Sequence, residues 1–270
     1  MKLMKITVIG TGRNEIVTGI CHSRLGHHVT LLPLRSDFSW QNLGEPGLAE
    51  LATESLAHDR LVIETDVKRA LETADLIVAS SDKASPNGAL SDLQNQCRLV
   101  AKTVRSKTPL VLIQRVESLG FMQQLCASFD VMPRPLRFAF VPADYSPGRS
   151  VDECLSPAEI IIGADHASDQ TVLEQLFSPF ISDGGRICVL SVRKAEFVSL
   201  LRQAERAAQA RLVAEIQKLA DEFDVTTSFT YGTAKSQSSR PKQAAWASLL
   251  QESTTQDLPL LSAAVPRHGS

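Results

Sequence analysis

The sequence has 270 residues, of which 43% are hydrophobic and 21% are charged, a balance typical of one large globular domain or two small ones. The net charge of −2 gives no basic footprint for nucleic acid or an anionic membrane. The five cysteines are scattered without metal-binding spacing, and no apolar run approaches the length of a membrane span. We therefore expect a cytoplasmic protein without a metal site that binds neither nucleic acid nor membrane.

Short β-branched runs alternate with helix-length amphipathic segments through the first 190 residues, which is the pattern of a parallel sheet covered by helices on both faces. Strands are predicted at Ile6–Ile9, His28–Leu32, Leu61–Ile63, Leu76–Ala79, Leu110–Ile113, Phe138–Val141, Ile160–Ile162 and Arg186–Leu190. Helices are predicted up to Leu25, from Pro46, and at Asp92–Val104, Ser118–Phe129 and Asp169–Phe177. Right-handed crossovers would join these strands into a doubly wound, Rossmann-like α/β sheet formed by residues 1–192.

A long amphipathic helix is predicted next, at residues 193–225, with apolar side chains at steps of three and four. The stripe consists of Phe197, Leu201, Ala204, Ala208, Leu212, Ile216, Leu219 and Phe223. A helix of this length, about 45 Å, either lies along its own domain or pairs with a second subunit, and we favour a homodimer through residues 194–223. The polar composition of residues 226–270 predicts a partly disordered tail.

The segment that joins the first strand to the first helix carries two glycines at the positions that bind phosphate in dinucleotide-binding folds. Gly10 permits the tight turn, Gly12 lets the backbone approach a pyrophosphate, and the helix N-terminus attracts an anion. Together with Thr11 and Arg13 they are the candidate cofactor-binding residues of this turn. The third glycine of G-x-G-x-x-G is replaced by Glu15, whose carboxylate either points outward or sits against the phosphate site, where it would repel an anion.

The end of the second strand tests which dinucleotide this turn would bind. The acidic residue that holds the ribose of NAD is absent, and the first carboxylate is Asp37. Arg35, followed by Ser36, suits the 2′-phosphate of NADP, and we include Arg35 among the cofactor-binding candidates. Either NAD or NADP fits this pattern, an empty site is the alternative, and Arg35 would then be a solvated loop residue.

Other groups that could carry chemistry give weaker signals. His27 and His28 follow the first predicted helix, where a capping or surface role is favoured over catalysis. There is no Gly-x-Ser-x-Gly elbow and no carboxylate pair on one helix face. The sequence therefore assigns no catalytic residue.

Collinear blocks give the sequence a specific resemblance to the UDP-glucose and GDP-mannose dehydrogenases. The blocks are Lys5-Ile-Thr-Val-Ile-Gly-Thr-Gly12, Val17-Thr-Gly19, Leu25-Gly-His27 before Val29-Thr30, Glu45-Pro-Gly-Leu48, Thr65-Asp66, Ala74-Asp-Leu-Ile77, Leu155-Ser-Pro157, Ile160-Ile-Ile-Gly163, Ser178-Pro-Phe180 and Ala195-Glu196. They cover roughly residues 3–225, which correspond to the family's NAD-binding domain and the start of its central helix. The resemblance implies an enzyme that oxidises a sugar C6 alcohol twice, through an aldehyde and a cysteine-bound thioester, while two NAD are reduced.

At the positions where the resemblance implies reactive groups, this sequence has other residues. The family's Lys-Ser-Thr-Val-Pro-x-Gly segment is replaced by Gln114-Arg-Val-Glu-Ser-Leu-Gly120, and its Val-Pro-Thr-Pro turn is replaced by Ser80-Ser81-Asp82-Lys83. The family's glutamate is replaced by Ala143, and its lysine and asparagine are replaced by Ser199 and Gln203. The family's Gly-Gly-x-Cys-Phe-Pro-Lys-Asp block does not follow Val225, and we expect its nucleotide-sugar domain to be missing.

Three hypotheses follow from this degenerate, truncated pattern. The favoured one is an inactive paralogue that acts as a dimeric scaffold or regulator, with a protein partner, in nucleotide-sugar metabolism or polysaccharide biosynthesis. The second is an active NAD(P)-dependent oxidoreductase acting on a nucleotide sugar or another alcohol, with Arg35 and Asp144 as its first candidate residues. The third is an interaction module with an empty cleft.

Overall fold

The fold is an eight-stranded sheet with helices on both faces, followed by a long helix. The computed structural model describes residues 3–34, 39–81, 88–104, 109–130, 136–181 and 185–223. The strands are β1 (Lys5–Ile9), β2 (His28–Leu32), β3 (Leu61–Ile63), β4 (Leu76–Ala79), β5 (Leu110–Ile113), β6 (Arg137–Phe140), β7 (Glu159–Gly163) and β8 (Arg186–Leu190). The helices are α1 (Arg13–Arg24), α2 (Leu48–Ala57), α3 (Val67–Glu72), α4 (Ala89–Thr103), α5 (Phe121–Ala127), α6 (Ser150–Leu155), α7 (Ala167–Phe177) and α8 (Val192–Glu222). The Rossmann-like fold predicted from the sequence is confirmed.

The strand order is β3-β2-β1-β4-β5-β6-β7-β8, and every neighbouring pair is parallel except β6 with β7. The prediction that all strands would pair in parallel is therefore wrong at one step. The segment between β6 and β7 contains the six-residue helix α6. After it the chain enters β7 antiparallel to β6, with Phe140 opposite Gly163.

Two hydrophobic cores, one on each face of the sheet, explain why the strand sequences are almost wholly apolar. Val8 and Val78 pack in one core, whereas their chain neighbours Ile9 and Ile77 pack in the other. Because successive side chains of a strand point to opposite faces, a strand buried on both sides has few positions that favour a polar residue. This is why the bounds of most strands could be read directly from the sequence.

Gly163, at the end of β7, packs against the start of α8 at a distance that leaves no room for a side chain. A Cβ there would lie 2.6 Å from the Cβ of Ala195 and 3.2 Å from the carbonyl oxygen of Phe140. We expect Gly163→Ala to lower the free energy of unfolding by about 1–3 kcal/mol, because neither neighbour is a flexible side-chain end. Urea unfolding followed by circular dichroism measures this change.

The matched control is Gly19→Ala on α1, where the nearest atom to a new Cβ is a methyl carbon of Leu31, at 2.7 Å. That methyl belongs to a side chain that can rotate, and alanine in a helix gains about 0.5–1 kcal/mol over glycine. We therefore expect a smaller loss than at Gly163. Equal losses in the two variants would contradict this account of the packing at the start of α8.

The chain forms two compact units, residues 1–207 and 208–270. The first unit holds the whole sheet and the first part of α8, where Ala195, Glu196 and Ser199 are buried. Of the second unit, the structure describes the helical residues 208–222 and Phe223, whereas the predicted polar tail lies outside the described residues. Among the described helices, none is both long enough and apolar enough to cross a membrane.

Candidate functional site

A cleft lies where the strand order reverses, at the carboxyl ends of β1 and β4. From β1 the chain winds outward to β2 and β3, and from β4 it winds in the other direction, so the two adjacent crossovers diverge and leave a crevice. A cavity of about 380 Å³ opens there. Its lining includes Gly10, Thr11, Gly12, Arg13, Asn14, Glu15, Leu34, Ser80, Ser81, Asp92, Gln96, Arg115, Asp144 and Tyr145.

The glycine turn after β1 has the geometry predicted for a phosphate-binding loop. Gly10 has a φ of +127°, which favours glycine, and its N–H donates to the carbonyl of Leu32 at 3.1 Å. Gly12 is the N-cap residue of α1, so the N–H groups of the first turn of α1 lie beside the cavity. Four of the five candidate cofactor-binding residues, Gly10, Thr11, Gly12 and Arg13, therefore line one cleft. The fifth, Arg35, lies outside the described residues.

The side chain of Glu15 folds back over this turn rather than pointing to solvent. A Cβ on Gly12 would lie 2.2 Å from Oε2 of Glu15, and one on Gly10 would lie 3.3 Å from its Cγ. Glu15 is only 5% exposed and lines the cavity. Of the two orientations that the sequence left open, the structure has the one in which the carboxylate lies against the glycine turn.

Arg13, the positive candidate of the turn, is held by a carboxylate of the protein itself. Its Nε lies 2.7 Å from Oε1 of Glu45. The Glu45 carboxylate also accepts hydrogen bonds from the backbone N–H of Gly148, at 3.0 and 3.2 Å, and from that of Ser150, at 3.2 Å. Glu45 thus ties the start of α1 to the loop that opens α6, and Arg13 supports this junction.

The opposite wall of the cleft carries buried polar atoms that have no hydrogen-bond partner among the described residues. These are Oγ of Ser81, Oε1 of Gln96 and Nε of Arg115. Ser81 and Gln96 are only 4% and 7% exposed, and the amide nitrogen of Gln96 donates to the carbonyl of Ser80 at 2.9 Å. Because buried polar atoms are usually satisfied, this wall is suited to a polar ligand or to water.

The groups nearest the end of β6 are engaged in structural contacts. Asp144 forms an ion pair of 2.8 Å with Arg206. The hydroxyl of Tyr145 donates to Sγ of Cys154 at 3.2 Å, and burial raises the pKa of this tyrosine above its ordinary value of 10. A hydrogen bond with Cys154, together with burial, likewise raises the pKa of the Cys21 thiol. Neither Tyr145 nor Cys21 is therefore poised to ionise near neutral pH.

Residues 4–181 match the UDP-glucose/GDP-mannose dehydrogenase family, NAD binding domain. The chain belongs to this family. It is 28% identical over 229 residues to the UDP-glucose 6-dehydrogenase YwqF of Bacillus subtilis, covering 81% of this chain and 51% of that protein. It is 25% identical over 241 residues to the UDP-glucose 6-dehydrogenase AglM of Haloferax volcanii, covering 82% and 56%. The chain thus spans about half the length of these curated relatives.

Solved structures with the same fold include other nucleotide-sugar dehydrogenases. A ternary complex of GDP-mannose dehydrogenase from Pseudomonas aeruginosa superposes with a TM-score of 0.71 at 20% identity, covering 81% of this chain and 53% of that one. The UDP-D-ManNAc dehydrogenase of Pyrococcus horikoshii gives a TM-score of 0.67 at 23% identity, covering 82% and 55%. At these identities the likeness shows the fold alone.

Structural contacts hold the residues at three positions where the sequence resemblance implies reactive groups. Gln114 is buried and donates from its amide to Oγ1 of Thr18 at 2.8 Å. Ala143, in place of the family's glutamate, offers only its carbonyl, which accepts a hydrogen bond from Asn14. Ser199 is buried on α8 and is hydrogen-bonded to Gln203.

NAD, the cofactor of the matched domain, fits part of this site and conflicts with another part. The glycine turn, the start of α1 and the polar far wall suit a dinucleotide. The carboxylate of Glu15 does not, because it stands beside Gly12, where the pyrophosphate approaches the backbone. The sequence predicted the turn and drew attention to Glu15, but it did not indicate that Glu45, Gln96 and Arg115 belong to the site. These three residues lie on separate loops and helices, and only the order of the strands brings them together.

Proposed function

We propose that this chain is a member of the family that does not oxidise sugars and acts as a dimeric scaffold or regulator in nucleotide-sugar metabolism. The supporting observation is that Ala143, where the resemblance implies the family's glutamate, is buried beside the cleft residue Asp144 and offers only its carbonyl, to Asn14. A methyl group cannot move a proton, and the neighbouring carboxylate of Asp144 is paired with Arg206.

The test of this proposal is a turnover assay. Purified protein is incubated with NAD or NADP and either UDP-glucose or GDP-mannose, and reduced nicotinamide is followed by its absorbance. A UDP-glucose 6-dehydrogenase such as the Bacillus subtilis relative serves as the positive control. We expect no reduction with this chain, and reduction of either dinucleotide that depends on the sugar would refute the proposal.

The proposed dimer is supported by the apolar side chains that α8 leaves in water. Phe197, Leu212, Leu219 and Phe223 are each more than half exposed, and they belong to the stripe predicted from the sequence. The side chains of α8 that are buried in the first unit, such as Ala195 and Ser199, lie off this stripe. A row of large exposed apolar residues is rare on a monomer and is typical of an association surface.

We expect Leu212→Glu with Leu219→Glu to convert the dimer into a monomer, since each glutamate would bring an uncompensated charge to the apolar contact. Light scattering after size-exclusion chromatography measures the mass. The matched control is Gln217→Glu, which adds the same side chain on the opposite side of the helix, where we expect no change of mass. A monomeric wild-type chain would rule out the dimer.

A further inference from the structure

We infer that Glu15 occupies the place of a pyrophosphate in the cleft, so that this chain discriminates against diphosphate ligands that the same fold otherwise binds. The second glycine of a dinucleotide-binding turn leaves out a side chain so that the phosphates can approach its backbone. In this chain Oε2 of Glu15 lies 2.2 Å from where a Cβ of Gly12 would be. The space that Gly12 leaves is therefore taken by the protein's own carboxylate.

Charge strengthens this exclusion. Among the carboxylates that line the cavity, Glu15 lies against Gly12, whereas Asp144 is paired with Arg206. Arg13 is already paired with Glu45. A pyrophosphate would thus bring two more negative charges beside a nearly buried carboxylate, and like charges a few ångströms apart repel strongly where water is scarce.

The rest of the cleft remains suited to a ligand, so the block is local. Ser81, Gln96 and Arg115 present buried polar atoms without partners among the described residues. These groups line the same cavity as Glu15. Shortening Glu15 should therefore restore dinucleotide binding without any other change, an expectation that rests on the proposal that this cleft is the family's cofactor site.

The experiment is a gain of binding. Glu15→Ala supplies a small residue at the third position of the fingerprint, which accepts glycine or alanine, and alanine is favourable in a helix. Isothermal titration calorimetry compares NADH, ADP-ribose and adenosine as probes. We expect Glu15→Ala to bind NADH and ADP-ribose about 30-fold more tightly than wild type, whereas adenosine, which has no phosphate, should change by less than about threefold.

Two further variants separate the causes. Glu15→Gln keeps the volume and removes the charge, so a gain in both variants assigns the exclusion to charge, and a gain in Glu15→Ala alone assigns it to occupied space. Asp92→Asn removes an equal charge from another part of the cavity lining and should leave NADH binding within about threefold of wild type. Circular dichroism and thermal unfolding establish that each variant is folded.

The inference is overturned if wild type already binds NADH as tightly as Glu15→Ala, or if neither substitution at Glu15 gains affinity. It is also overturned if Asp92→Asn gains as much as Glu15→Ala, because the effect would then be one of overall charge. These outcomes are independent of the turnover assay. A chain that reduces NAD in the presence of UDP-glucose refutes the proposed function, whereas the binding ratios of the variants address Glu15 alone.

Discussion

Glu45→Ala is expected to lower the free energy of unfolding by about 2–4 kcal/mol. The Glu45 side chain is 1% exposed. Its carboxylate connects the start of α1, through Arg13, to the loop that opens α6, through the N–H groups of Gly148 and Ser150. Its removal deprives a cation and two backbone donors of their acceptor, and such losses are costly when the groups are shielded from water. The effect stays below the upper range for a fully buried ion pair because Arg13 is about one-third exposed.

Chemical denaturation of two companion variants shows whether the connection or the charge matters. Glu45→Gln keeps one oxygen acceptor and nearly the same shape, so we expect about half the loss of Glu45→Ala. Glu50→Ala removes an exposed carboxylate from α2 and should change the stability by no more than about 0.5 kcal/mol. If Glu45→Ala proved as mild as Glu50→Ala, Glu45 would not be the junction that the structure indicates.

The sequence predicted the sheet well because burial on both faces leaves a simple signal. Leu76–Ala79 and Leu110–Ile113 are continuous apolar runs, and the structure places both as central strands with the predicted bounds. Helix starts were less accurate. Pro46 was predicted to open a helix, whereas α2 begins at Leu48, after Gly47 adopts a left-handed conformation with a φ of +76°.

Short helices were missed because six residues make fewer than two turns and show no apolar periodicity. A signal was nevertheless present for α3. Asp66 caps it by accepting a hydrogen bond from the backbone N–H of Arg69 at 2.9 Å, and an aspartate before a helical turn is a known start signal. The start of α6 depends instead on Glu45, which lies more than 100 residues earlier in the chain. No local pattern could have revealed that contact.

The sequence predicted where the cleft lies but not how the side chain of Glu15 is oriented in it. The order of strand, glycines and helix located the cleft, because these features follow from backbone conformation. Whether Glu15 points into that cleft depends on a side-chain rotamer and on its surroundings, which a sequence does not display. The same contrast holds for the family likeness: the blocks that persist include packing residues such as Gly19 and Ala195, whereas the positions of reactive groups carry Gln114 and Ala143.

The burial of the histidines near the end of α1 was also not predicted from the sequence. His27 was predicted to have a capping or surface role, but it is fully buried, and its Nδ1 accepts a hydrogen bond from the backbone N–H of Met4 at 3.2 Å. His22, one turn earlier, packs edge-on against Phe177 and Phe180. Both rings therefore belong to the interior, where a charged imidazole is unfavourable.

Stability is accordingly expected to fall steeply in mild acid. Burial lowers the pKa of His22 from 6.5 to about 3, and burial also lowers the pKa of His27. Between pH 6.5 and 3, His22 binds a proton in the unfolded chain but not in the folded chain. The free energy of unfolding is therefore highest above pH 6.5 and declines as the pH falls from 6.5 towards 3. The slope from His22 alone is about 1.4 kcal/mol per pH unit, and His27 adds to it.

Urea unfolding between pH 6.5 and about 5 isolates this effect, because most carboxylates titrate below that range. Wild type should lose roughly 2 kcal/mol or more over the interval, whereas His22→Leu should lose about 2 kcal/mol less, since leucine does not titrate in the same apolar surroundings. His58→Gln, which removes an exposed imidazole at the end of α2, should keep the wild-type slope. Identical slopes in wild type and His22→Leu would mean that the buried ring at residue 22 accepts a proton without unfolding, and that the contacts with Phe177 and Phe180 do not hold it neutral.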